Sequence, residues 1–168
     1  MQDESALMIS CIPHLRRYAR ALVSDYAGAD DLVQDTLERS WKNLSAWRRD
    51  CDMRRWLFGI MHNVHKDGFR KRAVPTVELD EMTFLPVMRA THADQHEMRD
   101  IVSALEKLPI EQREILLLVA LEEMTYDEVA SVLCIPVGTV MSRLSRGRER
   151  LRAIVEGHVL ASSLKVVK

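Results

Sequence analysis

An all-helical protein of two small domains, joined by a flexible linker and ending in a helix-turn-helix, is the fold class the sequence predicts. Three observations predict it. Apolar residues recur at intervals of three and four along most of the chain, and no stretch alternates with the period of two that a half-buried strand needs. That periodicity fails once, from Ala73 to about Thr91, where two prolines and scattered acids replace it. Towards the C-terminal end, a short capped segment, a proline-broken turn and a second amphipathic segment follow one another in helix-turn-helix order.

The elements follow in turn. Met8, Ile12, Leu15, Ala19 and Leu22 form one face of a first helix, in which Pro13 is expected to kink or delay the start. Gly28 breaks the chain, and Asp31 with Gln34 reads as a capping box for a second helix. Its expected buried stripe is Val33, Leu37, Ser40, Trp41 and Leu44. After a polar loop from Ser45 to Asp52, a third helix is expected from about Met53 to Arg72, with Leu57, Ile60, Met61 and Val64 inward. Beyond the linker, Met98, Ile101, Val102 and Leu105 carry a helix that ends before Pro109, and the next begins there. The expected domains are therefore 5–73 and 94–155, with a linker over 74–93 and a frayed tail over 156–168.

Composition bounds the function. The chain has 168 residues, 47% of them hydrophobic and 29% charged, which fits a soluble globular protein too small for a large enzyme. Net charge is −1, so no uniformly basic surface exists, yet the charges are segregated. Arg48 to Arg72 is strongly basic, whereas Gly28 to Glu38 holds acids and no base, as expected of surfaces that serve different partners. Cys11, Cys51 and Cys134 are odd in number and without paired spacing, which points to reduced thiols. With no apolar run near the ~20 residues of a membrane span and no basic leader, the expected location is the cytoplasm.

The C-terminal lobe carries the sharpest signal. Thr125-Tyr126-Asp127-Glu128 is a capping box, followed by the apolar positions Val129, Ala130 and Leu133. Pro136 stops that helix, and a second one from Val137 buries Val140, Leu144, Gly147 and Leu151. Its other faces present Thr139, Ser142, Arg143, Arg146, Arg148, Arg150 and Arg152. Arginine forks match guanine edges and phosphates, so this helix is expected in a DNA major groove. A basic run is more often only a solvated face; the cap and the turn are what favour the DNA reading.

These residues also resemble a known family. Leu108-Pro109, Arg113 to Leu118, Met124 to Ala130 and Ile135 to Arg148 are similar to the fourth conserved region of bacterial sigma factors. Asp30 to Thr36 with Trp41, and Trp56-Leu57-Phe58 with Asn63 and Lys66, resemble the second conserved region. Two such regions and little else resemble the extracytoplasmic-function (ECF) branch of the sigma-70 family. The resemblance implies a dissociable subunit that gives core RNA polymerase its promoter specificity, with no catalytic residue, cofactor or metal of its own. Asp31, Leu32, Gln34 and Asp35 would dock on the polymerase. Trp47, Arg48, Arg54, Arg55, Asn63, Lys66, Arg70, Lys71 and Arg72 would hold the melting −10 element. Thr139, Ser142, Arg143, Arg146 and Arg148 would read the −35 duplex. An anti-sigma factor is a further implied partner. Arg49, Gly59, Met141 and Ser145 depart from the usual residues of the family, which leaves the base code open.

Two rival readings remain at this level. His62 with His65, and His92 with His96, have the spacing of paired metal ligands on a helix, although no third ligand adjoins either pair. An ordinary repressor with the same C-terminal motif would not need the acidic second helix or the basic third one.

Overall fold

The computed structural model describes residues 2–23, 25–72 and 100–163, with side chains for 4–23, 25–68 and 100–157. All regular structure among them is helical. The first lobe consists of α1 (Gln2–Leu22), α2 (Tyr26–Lys42), a 3-10 turn at Leu44–Ala46 and α3 (Met53–Arg72). In the second lobe, α4 (residues 100–106) precedes α5 (Ile110–Ala120), α6 (Tyr126–Leu133) and α7 (Val137–Ser163). Residues 156–163 of the predicted tail are not frayed but continue α7, whereas the predicted linker lies outside the described residues. So do His92 and His96.

Local chemistry sets the helix ends, not always where periodicity placed them. α1 continues unbroken through Pro13, which is exposed, and buries Met8, Cys11, Leu15, Tyr18, Ala19 and Leu22. Asp25, not Asp31, caps α2, by accepting from the backbone N–H of Gly28. The chain therefore does not break at Gly28. Glycine is needed because a Cβ there would sit 2.6 Å from Asp25 Oδ2. Asp31 and Gln34 consequently lie one turn inside the helix, both exposed. The buried stripe of α2 is Ala29, Leu32, Val33, Thr36 and Ser40. Thr36 and Ser40 bury their hydroxyls by donating to the carbonyls four residues back. Trp41, expected in the core, is instead 61% exposed, because the stripe drifts away from it along the helix. Asp52 opens α3, its carboxylate accepting from Arg54 N at 3.0 Å.

In the second lobe α5 is nearly engulfed, with Arg113 through Leu118 all buried. The capping box of α6 forms as the sequence predicts: Glu128 N donates to Thr125 Oγ1 at 3.3 Å and Thr125 N to Glu128 Oε2 at 2.8 Å. Before Pro136, a left-handed Cys134 (φ 52°) ends the helix, with backbone donors returning to Ala130 and Ser131. A side chain in that region costs roughly 1–2 kcal/mol, of which glycine's larger chain entropy cancels part. Cys134→Gly is expected to stabilise the protein by about 0.5–1 kcal/mol, raising the midpoint of thermal unfolding by a few degrees. A lowered midpoint would show that the thiol contributes more than the backbone loses. α7 then leaves at 105° to α6, inside the 90–120° range of helix-turn-helix pairs. Gly147 permits close packing on α5: a Cβ there would lie 3.1 Å from Leu116 Cδ1 and 3.3 Å from Gln112 Cβ.

The lobes are not separate bodies. α5 packs on α1 and α6 packs on α3, so the buried residues of both lobes form one continuous apolar cluster. Phe58, edge-on to Tyr18 at 5.1 Å between ring centres, sits at its centre. No single helix among the described residues is long and apolar enough to cross a membrane.

Candidate nucleic-acid interface

α7 projects the predicted major-groove residues on more than one flank. With ~100° per residue, Thr139, Ser142, Arg143 and Arg146 share one side of the helix. Ser142 donates to the Thr139 carbonyl at 3.1 Å, and Arg146 Nε to the Ser142 carbonyl at 3.2 Å. Ser142 and Arg146 are exposed, while Thr139 and Arg143 are half-buried. Arg148 falls on the opposite flank with Arg152 and the exposed Met141. It therefore points away from the side that Arg146 shares with Ser142. The turn itself ends in free amides at Gly138 and Val137, while Thr139 N and Val140 N bond to the Pro136 carbonyl.

In the first lobe the basic residues divide sharply. Asn63 and Lys66 are exposed on α3. Arg70, Lys71 and Arg72 end that helix, and their side chains lie outside the described residues. Trp47 is half-buried against the core, and its Nε1 donates to the Cys51 carbonyl at 3.1 Å, tying down the loop. Arg48 pairs with Asp50 at 2.7 Å, and Arg49 with Glu4 at 3.1 Å. Arg54 and Arg55 are half-buried and look onto the second lobe, although Arg55 Nε also lies 3.8 Å from Asp52 Oδ2.

That seam was invisible in the periodicity. Glu122, in the turn after α5, has a fully buried side chain that reaches the first lobe. Its Oε2 lies 2.9 Å from His14 Nδ1 and 3.9 Å from Arg54 Nη1, and its Oε1 accepts from Arg17 Nη2 at 2.9 Å. Arg17 also donates to the Leu121 carbonyl at 2.7 Å. Arg55 Nη1 lies 3.7 Å from Glu128 Oε1 in the α6 cap. There the Thr125 backbone N–H, more than the nearby arginines, holds the Glu128 carboxyl below its ordinary value. Further along, Glu114 Oε1 sits 3.0 Å from His62 Nδ1 and 3.5 Å from His65 Nδ1. Both histidines proposed as metal ligands thus face a carboxylate across the seam. Among the described residues no cluster of His, Cys, Asp and Glu could hold a metal ion. Arg113, 9% exposed, donates Nη1 to the Leu22 carbonyl at 2.9 Å, and Nη2 to the carbonyls of Glu106 and Leu108. It places a cation at the C-terminal ends of both α1 and α4, where the helix dipoles favour one.

Burial alone would push the Glu114 carboxyl up, but the hydrogen bonds and charges of His62 and His65 outweigh it, so the group is held below the ordinary carboxylate value. A depressed carboxylate supports the closed seam above its ordinary range, and that support disappears as pH falls through the lowered value. The lobes are therefore expected to loosen as pH falls below the ordinary carboxylate range while helicity persists, seen as a larger radius of gyration by X-ray scattering. A constant radius across that range would contradict the role given to Glu114.

The acidic face of α2 is the simplest surface. Asp31, Gln34 and Asp35 are exposed, and no ion pair among the described residues engages them. Leu32 departs from the expectation. It is 6% exposed and packs inward, so it holds the helix in place and cannot project from that face. The exposed Trp41 extends the face by spacings of three and four. A groove of about 530 Å³ runs beside it, lined by Asp31, Leu32, Asp35, His65, Leu108 and Arg113.

Known proteins agree with this geometry. Residues 8–62 match the family described as the Sigma2 domain of PhyR, and residues 98–151 match Sigma-70, region 4. The ECF RNA polymerase sigma factor EcfG of Rhodopseudomonas palustris (strain TIE-1) is 32% identical over 149 residues, covering 88% of this chain and 82% of that protein. The sigma factor RpoE from Bartonella quintana, solved in complex with the anti-sigma factor NepR, superposes with a TM-score of 0.81 at 28% identity over 93% of this chain and 98% of that one. CnrH, solved in complex with the cytosolic domain of CnrY, gives a TM-score of 0.70 at 28% identity over 93% of this chain and 89% of that one. Both conserved regions, in order and over nearly the full length of a relative, place this chain among the extracytoplasmic-function RNA polymerase sigma factors.

Proposed function

We propose that the two lobes divide promoter recognition as their surfaces divide in chemistry. The observation that carries this reading is one chain holding an arginine-lined helix-turn-helix, a basic helix beside an anchored tryptophan, and an unpaired acidic helix face. As an ECF sigma factor the protein binds core RNA polymerase and directs promoter-specific initiation. In this division Ser142, Arg143 and Arg146 read the −35 duplex while Arg148 holds its backbone. Asn63, Lys66 and Trp47 with the basic end of α3 take the −10 strand as it separates, by stacking and phosphate contacts. Asp31, Gln34 and Asp35 dock on the polymerase. The protein supplies no bond-making chemistry and works in the cytoplasm, where the polymerase is.

An anti-sigma partner is part of this reading, because RpoE and CnrH superpose on the chain in structures where each is held by one. A second reading has one specific support. The Sigma2 match is to PhyR, which is named an anti-anti-sigma factor in its complex with NepR, and on that reading the chain is a decoy that takes up an anti-sigma factor without initiating. The basic α3 and the arginines of α7 argue for the first, since a decoy has no use for DNA contacts. Footprinting separates them. With core polymerase, the chain should protect two promoter stretches and make the downstream one reactive to single-strand reagents; protection of neither supports the decoy.

A further inference from the structure

We infer that Met141 reads one base of the −35 element directly, by packing its side chain against the 5-methyl group of a thymine in the major groove. The inference rests on the −35 role proposed for α7 and adds to it an apolar contact beside those of Ser142, Arg143 and Arg146. The place of the side chain and its chemistry both carry it.

α7 turns Val140, Leu144 and Gly147 inward, all of them buried. At ~100° per residue, the opposite surface is centred on Gly138, Ser142 and Ser145, which are exposed. This is the surface that a major groove would receive. Its middle carries only small side chains, so the longer ones on its two rims, Arg146 and Met141, reach past it towards the bases. Met141 is the fifth residue of α7, at the end of a recognition helix that meets base edges. Arg148 shares its flank but lies ~10 Å further along the helix axis, so the two side chains have separate targets.

The fold makes no use of Met141. It is 49% exposed, the only large apolar side chain exposed on α7 among the described residues. It belongs neither to the continuous core nor to the hydrophobic residues packed against that core. Single apolar residues are common on protein surfaces, but this one stands where a DNA edge would lie. A thioether donates no hydrogen bond and accepts only weakly, so phosphates and polar base edges are poor partners for it. The C5-methyl of thymine is the apolar feature of a base pair in the major groove. An unbranched side chain with freely turning bonds can follow that methyl as the groove changes width.

The experiment uses the full chain bound to core polymerase. Selection from promoter duplexes randomised in the upstream element gives the preferred −35 sequence. Each thymine of that element, on either strand, is then replaced singly by deoxyuridine, which removes the methyl and keeps every hydrogen-bonding group. Competition binding compares the wild type with Met141→Ala and Met141→Leu, and circular dichroism verifies that both variants fold.

The wild type is expected to lose about fourfold in affinity at one thymine, the value of burying one methyl group, and little at the others. Met141→Ala should bind the thymine duplex at least as weakly as the wild type binds the uracil duplex, and uracil at that position should cost it nothing more. Such non-additivity marks a direct contact. Met141→Leu, equally apolar, should keep the sensitivity. Sensitivity to uracil at no position, or equal sensitivity in the wild type and Met141→Ala, overturns the inference and leaves the −35 role of α7 standing. Enrichment of no upstream element removes that role, and the inference with it.

Discussion

Replacing Asp31 and Asp35 together by lysine is expected to reduce the affinity for core polymerase by about 100-fold or more, close to 3 kcal/mol. The two side chains are exposed, one turn apart on α2, and engaged in no ion pair among the described residues. Reversing them therefore costs the fold little: α2 is held by Leu32, Val33, Thr36 and Ser40 on its other side. At a docked interface the same change sets like charges against each other, which costs several kcal/mol. Co-sedimentation with core polymerase gives the affinity, and circular dichroism verifies the fold. Undiminished binding by a folded double variant would move the docking surface elsewhere. The exposed Trp41, on the same side, would be the next residue to replace.

Arg146→Ala is expected to weaken −35 recognition by roughly 5- to 150-fold, the value of one bidentate base contact of about 1–3 kcal/mol, and to leave polymerase binding unchanged. The side chain is exposed, and its one internal bond, to the Ser142 carbonyl, lays it along the helix towards the shared flank. Arg148→Ala supplies the contrast. From the opposite flank it should weaken binding evenly across sequences and reduce the salt dependence by about one phosphate contact. Equal, sequence-independent losses in the two variants would mean that Arg146 also holds only the backbone. Competition binding against a panel of −35 variants distinguishes the two patterns.

Much of this architecture was legible in the residues. The α3 helix, the capping box at Thr125 and Glu128, and the turn at Pro136 follow from local rules that tertiary context did not override. Two local readings failed for physical reasons. The capping box assigned to Asp31 and Gln34 gave way to Asp25, because a cap is decided by which carboxylate meets a free N–H, and Gly28 leaves room for that one. Trp41 was placed inward because the 3.6-residue period was extended one turn further than the neighbouring helices cover. Leu32 misled differently: its place within an acidic motif hid its apolar role.

The seam between the lobes was the real gap. Glu114 and Glu122 lie far in sequence from His62 and His14, and a charged residue inside an apolar run gives no sign of its partner. One signal was available. Arg113 and Glu114 open the buried run Arg113 to Leu118, whose other four residues are apolar, and charges are rarely buried unless paired. Such a pair announces a partner elsewhere in the chain without naming it.

Transcription in vitro, with core polymerase, this chain and a library of randomised promoters, tests the assignment most directly. The account predicts transcripts only when the chain is present, from promoters sharing two short elements at a fixed spacing. It further predicts that Arg146→Ala changes the preference in the upstream element alone. The absence of promoter-specific transcripts from a chain that binds polymerase, or enrichment of a single element, would contradict it.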